Sequence, residues 1–124
     1  MARILLAEDE EALRAFVARA LAQDGHVVVA TADGAEALDV LTADRDGFDL
    51  LLTDIRMPVM DGIALALAAA RDRPDLIILL MTGYADQRER ASGLDALIHD
   101  VIAKPFSLAE IKAAVNEALA SKLR

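Results

Sequence analysis

Apolar and polar positions alternate along the chain between short unbroken apolar runs and longer stretches whose hydrophobic residues recur three and four apart. The runs are Arg3 to Ala7 (RILLA), His26 to Thr31 (HVVVAT), Phe48 with Leu50 to Leu52, Leu76 to Met81 (LIILLM) and Val101 to Ala103. Each has strand length, and the leucine-rich run before Asp54 lacks polar alternation, the pattern of a strand buried on both faces of a parallel sheet. Helix patterns lie between them. From Glu11, the residues Leu13, Phe16, Val17, Ala20 and Leu21 share one helical face that stops near Asp24-Gly25. Asp33-Gly34 turns the chain into a second helix through Ala37, Leu38 and Leu41, and Ile63 to Arg71 (IALALAAAR) gives an alanine-rich third that ends before Pro74. Residues 86 to 97 form the weakest pattern. They start charged (DQRER), and Ser92-Gly93 interrupts the middle, where glycine costs about 1 kcal/mol relative to alanine. A short or irregular helix is predicted there. Ser107 caps the last helix, Glu110 completes a capping box, and Leu108, Ile111, Ala114, Val115, Ala118 and Leu119 follow.

Strand and helix patterns thus alternate five times with no Gly/Ser-rich linker. This predicts one α/β domain over residues 1–124, a doubly wound parallel sheet with helices on both faces. At 124 residues and 56% hydrophobic content the chain has material for a single core. The absence of cysteine removes disulfides and thiolate metal sites and points to the cytoplasm. The start, MARILLAED, is too short an apolar stretch for a signal peptide. Ile63 to Ala70, the longest apolar run, has eight residues, against ~18 for a membrane span. A net charge of −8 and 3% aromatic residues argue against nucleic acid or an anionic membrane as partner.

Charge becomes informative at the strand ends. Leu50 to Gly62 (LLLTDIRMPVMDG) closes its apolar run on Asp54 and then breaks into a turn. Ligand crevices of open α/β sheets lie beyond the carboxyl ends of the strands. Asp54 alone would read more readily as a turn or N-cap aspartate. Taken together, however, the strand ends place Glu8-Asp9, Asp54, Thr82 and Lys104 on one rim. Three carboxylates there call for a cation, and an oxygen-only set suits Mg2+. The Thr82 hydroxyl and Lys104 ammonium suit the oxygens of a phosphoryl group carried by Asp54 as nucleophile.

With these residues in place, the chain resembles the response-regulator receiver domains, the CheY-like phosphoacceptors of two-component signalling. The resemblance runs from LLAEDE through LLTDIRMPVMDG and LMTGYA to IAKPF. It implies a flavodoxin-like strand order 2-1-3-4-5, with Asp54 as phosphoacceptor and Thr82 and Lys104 contacting the phosphoryl group. Asp9 and Asp54 would bind Mg2+ directly, Glu8 through water, and Arg56 through its backbone carbonyl. Lys104-Pro105 would be cis. The phosphoryl donor would be a histidine kinase or histidine phosphotransfer protein. The chain would catalyse only its own phosphoryl acceptance and autodephosphorylation, and is otherwise no enzyme.

One position departs from the family. Three residues before the lysine, receivers usually carry Tyr or Phe, and here Val101 stands there. Coupling is therefore expected to run through the Thr82 loop and residues 86 to 97, with Tyr84 as a candidate reporter aromatic. The chain ends shortly after its last helix pattern, so a stand-alone receiver signalling through a protein partner is expected. Motor-type ligand, phosphorelay intermediate and Clp-type protease adaptor stay open, the resemblance leaning to the CpdR-like cell-cycle adaptor type. A haloacid-dehalogenase-type phosphatase would want a second acid two after the nucleophile, where Arg56 stands. A flavodoxin would want a hydroxyl- and glycine-rich loop after the first strand, where acids stand. His26 and His99 receive no ligand role.

Overall fold

The computed structural model describes residues 2–44, 47–83 and 91–121, leaving aside the side chain of Ser92. Five strands, β1 (Arg3–Ala7), β2 (Val27–Thr31), β3 (Leu50–Asp54), β4 (Ile77–Thr82) and β5 (Asp100–Ala103), form one parallel sheet in the order 2-1-3-4-5. Four α-helices accompany them among the described residues: α1 (Glu11–Gln23), α2 (Gly34–Ala43), α3 (Gly62–Asp72) and α4 (Leu108–Ser121). This is the flavodoxin-like α/β architecture expected. Tyr84 and the DQRER run lie outside the described residues. Beyond them the chain makes a 3-10 turn at Ser92–Leu94, and the irregularity predicted around Ser92-Gly93 is present in this part.

Successive side chains of a strand point to opposite faces, and two core clusters follow from that. Leu5, Leu51, Ile78 and Leu80 face one cluster with α2 and α3. Ile4, Leu6, Leu50, Leu52 and Leu79 face the other with α1 and α4. All of β3 is buried, whereas β2 and β5 at the sheet edges are half covered. Helix starts are fixed by side chains. The Asp33 and Asp61 carboxylates accept from Glu36 N–H and Ala64 N–H, both at 2.8 Å. Ser107 and Glu110 exchange the reciprocal pair of a capping box, at 3.0 and 3.1 Å.

Several residues depart from the pattern. Phe48 is buried but precedes β3, beneath the Arg3 guanidinium at 4.9 Å from its ring centre. Leu76 is likewise buried outside its strand, held by a turn to the Arg73 carbonyl. His26 stands outside β2 and accepts the Ala2 N–H through Nδ1 at 3.2 Å. Phe16 and Leu108 are exposed at 40% and 39%, because they lie at the margins of faces centred on Val17, Ala20 and Leu21 in α1 and on Ile111, Val115 and Ala118 in α4. Asp33-Gly34 is a helix start instead of a turn, Gly34 being the first residue of α2.

Gly34 and Gly62 are required by close approach. A Cβ at Gly34 would overlap the Met60 carbonyl oxygen, and one at Gly62 would overlap the carbonyl oxygen of Asp54. The first turn of α3 therefore sits directly against the end of β3, and Gly62 N–H donates to the Ile55 carbonyl at 2.8 Å. Gly93 has nothing within 4 Å of a built Cβ. Helix propensity alone would have alanine stabilise Gly62 by about 1 kcal/mol. The overlap reverses that sign: Gly62→Ala is expected to destabilise by about 2–3 kcal/mol, whereas Gly93→Ala is neutral or stabilising by up to about 1 kcal/mol. Urea denaturation of both variants checks the pair, and an unshifted midpoint for Gly62→Ala contradicts the close approach.

Candidate functional site

Every strand of a parallel sheet ends on the same rim, so the residues following β1, β3, β4 and β5 converge. Glu8 follows β1 with its amide donating to the Thr31 carbonyl at 3.1 Å. Asp54 is the last residue of β3, in register with Met81, and the Ile55 amide donates to the Met81 carbonyl at 3.1 Å. Thr82 ends β4 opposite Ala103, and its carbonyl accepts the Lys104 amide at 2.7 Å. These backbone bonds fix the four positions on the rim. The Lys104-Pro105 bond is cis. An open cleft of about 820 Å³ lies above the rim, lined among others by Asp9, Asp54, Arg56, Lys104 and Phe106.

Glu8 and Asp54 are buried, Asp9 is exposed, and one carboxylate oxygen from each lies within 4.8 Å of the others. The Lys104 ammonium enters this cluster, with Nζ 2.9 Å from Glu8 Oε1 and 3.1 Å from Asp54 Oδ2. The other Glu8 oxygen accepts the Glu10 amide at 3.1 Å, and Arg14 donates to the Glu8 carbonyl at 2.9 Å. Thr82 is buried beside the lysine at 3% exposure. All the residues expected from the sequence, Glu8, Asp9, Asp54, Arg56, Thr82 and Lys104, are thus at one rim. The contact the sequence did not reveal is the one between Lys104 and Glu8, 96 positions apart.

Burial dominates the electrostatics. Loss of hydration pushes the Glu8 carboxyl up from its ordinary value, outweighing the Lys104 and Glu10 hydrogen bonds that pull it down. Asp54 is pushed up by burial and by the Asp9 charge, against the opposing pull of Lys104. Burial alone would lower Lys104, but its bond to Glu8 and the charge of Asp54 more than offset this and raise it. Three clustered carboxylates around the Lys104 ammonium make a local surplus of negative charge. An all-oxygen donor set with that surplus fits a hard divalent cation such as Mg2+. Among the described residues the histidines lie away from the cleft. His99 Nε2 is 2.7 Å from Glu117 and His26 Nε2 is 3.4 Å from Asn116, both tying onto α4.

Comparison with known proteins agrees with this geometry. The sequence pattern that defines the response regulator receiver domain matches residues 4–116. Response regulator MprA of Mycobacterium avium (strain 104) is 38% identical over 117 residues, covering 94% of this chain and 50% of that protein. MprA of Mycobacterium ulcerans (strain Agy99) is 37% identical over the same share of each. The chain spans about half the length of the curated relatives it matches. Among solved structures, a CheY-like receiver domain protein from Methanospirillum hungatei superposes with a TM-score of 0.90 at 28% identity, covering 98% of this chain and 96% of that one. TrrA from Thermotoga maritima, a response regulator solved in complex with Mg2+-BeF, superposes at 0.85 with 28% identity, covering 95% of this chain and 99% of that one.

The raised carboxyls carry a pH dependence with a definite sign. A folded pKa above the unfolded one favours folding fully below the unfolded value, and that contribution is lost as pH rises through the folded value. In EDTA, the parent should lose stability relative to Asp54→Asn as pH rises above the ordinary aspartate value of 3.8. Paired thermal melts of the two proteins measure the difference. A gap that is constant with pH, or that widens in favour of the parent, contradicts the assigned direction.

Proposed function

Because the chain belongs to the response regulator receiver domain family, we propose that it accepts a phosphoryl group on Asp54 and signals through a protein that docks on the phosphorylated form. The observation that supports this best is the placement of a buried Asp54 carboxylate within reach of the Lys104 ammonium and beside Glu8 and Asp9. Family membership excludes the haloacid-dehalogenase reading. Receiver domains take their phosphoryl group from histidine kinases. An Asp54 oxygen attacks the phosphorus of a phosphohistidine on the kinase or phosphotransfer protein, the phosphorus–oxygen bond forms as the phosphorus–nitrogen bond breaks, and the imidazole leaves. Lys104 holds one phosphoryl oxygen by charge and Thr82 donates its hydroxyl to another. Glu8, Asp9, Asp54 and the Arg56 carbonyl would hold Mg2+, whose charge when bound neutralises oxygens of the transferred group. Beyond its own phosphorylation and dephosphorylation the domain carries out no catalysis in this reading.

The net charge of −8 supports a protein partner over nucleic acid or an anionic membrane. A Clp-type protease, a motor-type ligand and a relay protein are the output classes this reading keeps, in the cytoplasm. No helix of the described residues is long and apolar enough to cross a membrane. Val101 is half-buried against the α2/α3 core cluster, opposite Leu80 in the sheet. Its short side chain supports coupling through Thr82, whose carbonyl already holds Lys104.

Incubation with Mg2+ and a small phosphodonor should add one acid-stable, base-labile phosphoryl group, and Asp54→Asn should abolish it. Mass spectrometry locating the group on serine or histidine overturns the assignment. Mg2+ should also stabilise the folded chain by about 2.7 kcal/mol at a hundredfold excess over its dissociation constant. Asp9→Ala should lose most of that gain, and a melting temperature that still rises with Mg2+ as the parent's does would place the ion elsewhere.

A further inference from the structure

We infer that the outward face of α3 is a self-association surface on which a second copy of this chain packs antiparallel. This does not depend on the phosphorylation chemistry. Between Gly62 and Ala70 the helix has no polar side chain, and a helix apolar all round is one that is covered on every side. Yet only Leu65, Ala66 and Ala69, with Gly62, are buried in the fold. Ala64 is exposed, Leu67 is 45% exposed and Ala68 is half-exposed. Together with Arg71 these stand at positions i, i+3, i+4 and i+7, one stripe along the outer side.

Charge selects the occupant and its direction. None of the chain's 21 acidic residues falls between Gly62 and Arg71, so a second copy laid along this face meets carboxylates only at its two ends, Asp61 and Asp72. At one end stands Asp61, the N-cap, and at the other Arg71, whose side chain is 82% exposed and lies only at 4.0 Å from Asp72. An antiparallel pair places Asp61 of each copy beside Arg71 of the other and opposes the two helix dipoles. A parallel pair would set like charges together. In the antiparallel register Ala64 of one copy faces Ala68 of the other, so the axes can approach closely, and Leu67 lies beside the twofold axis. Such a patch is self-complementary, as a twofold dimer demands. It is also smaller than a standard interface, which makes the dimer weak and concentration-dependent. The exposed ion pairs fix register more than affinity.

Sedimentation velocity of the 124-residue chain from micromolar to millimolar concentration tests this. The expected result is a reversible monomer–dimer equilibrium that Leu67→Glu weakens at least about tenfold, while Leu108→Glu, at a similarly exposed leucine on α4, leaves it within about twofold. Arg71→Glu should weaken the dimer, and adding Asp61→Asn, which keeps an N-cap, should restore part of the loss. Because the chain has no cysteine, direction is read separately: a mixture of Ala64→Cys and Ala68→Cys proteins should cross-link faster than either alone. A chain that stays monomeric throughout overturns the inference. So does a dimer indifferent to Leu67→Glu, or single-cysteine proteins that cross-link as fast as the mixture.

Discussion

Negative charge is concentrated where the sheet can least hydrate it. Glu8 and Asp54 stand at the ends of β1 and β3, among strands whose side chains are almost wholly buried, and Asp9 adds a third carboxylate from the exposed side. In that setting an ammonium shared between two carboxylates is a necessity, since breaking a buried ion pair by removing one partner leaves an uncompensated charge. Lys104 is delivered by the last strand, and its contact with Glu8 therefore closes the fold end to end. The same surplus of negative charge suits the rim to a hard divalent cation. Stability and chemistry are thus set against each other at one point.

The surroundings of the rim are arranged so that little can give way. Gly62 presses the first turn of α3 against the Asp54 carbonyl, and Gly34 brings α2 against Met60 in the loop between. At Val59 the backbone takes φ of 68° with the Met60 amide bonded to the Pro58 carbonyl at 2.7 Å, a tight turn that a β-branched residue adopts at a cost. The strain lies three residues before the α3 start and is held between the buried Met57 and the Asp61 cap. Backbone outliers of this kind persist only where neighbours over-determine them, and here those neighbours are the end of β3 and the start of α3.

Much of this was legible because the sheet is parallel. Strands buried on both faces read as unbroken apolar runs, their ends are marked by the first charged or hydroxyl residue, and one rim collects all of those ends, so Glu8, Asp9, Asp54, Thr82 and Lys104 could be grouped without coordinates. What escaped the pattern has physical reasons. Hydrophobicity cannot separate a strand residue from a buried residue in the adjoining turn, which is why Phe48 and Leu76 were read into strands. Helical period finds the direction of an apolar face but not its width, hence Phe16 and Leu108 at the margins. Gly34 looks like a turn residue until Met60, distant in sequence, is seen against it. The sharing of Lys104 by Glu8 and Asp54 depends on side-chain reach across three strands, which no local pattern encodes.

The position of α3 joins these threads. Its inner face fills the core against β3 and β4, its first residue touches the Asp54 carbonyl, and its outer stripe carries no acid. A change in charge at Asp54 acts on the Lys104 ammonium and on the backbone around Ile55, to whose carbonyl Gly62 is bonded. Close-packed interiors transmit displacement instead of absorbing it, and alanine-rich helices have few rotamers in which to dissipate it. A shift of β3's last residue would therefore move α3 as a unit, stripe included. The contact through Gly62 thus sets the helix that carries the outer stripe directly against the end of β3, backbone against backbone.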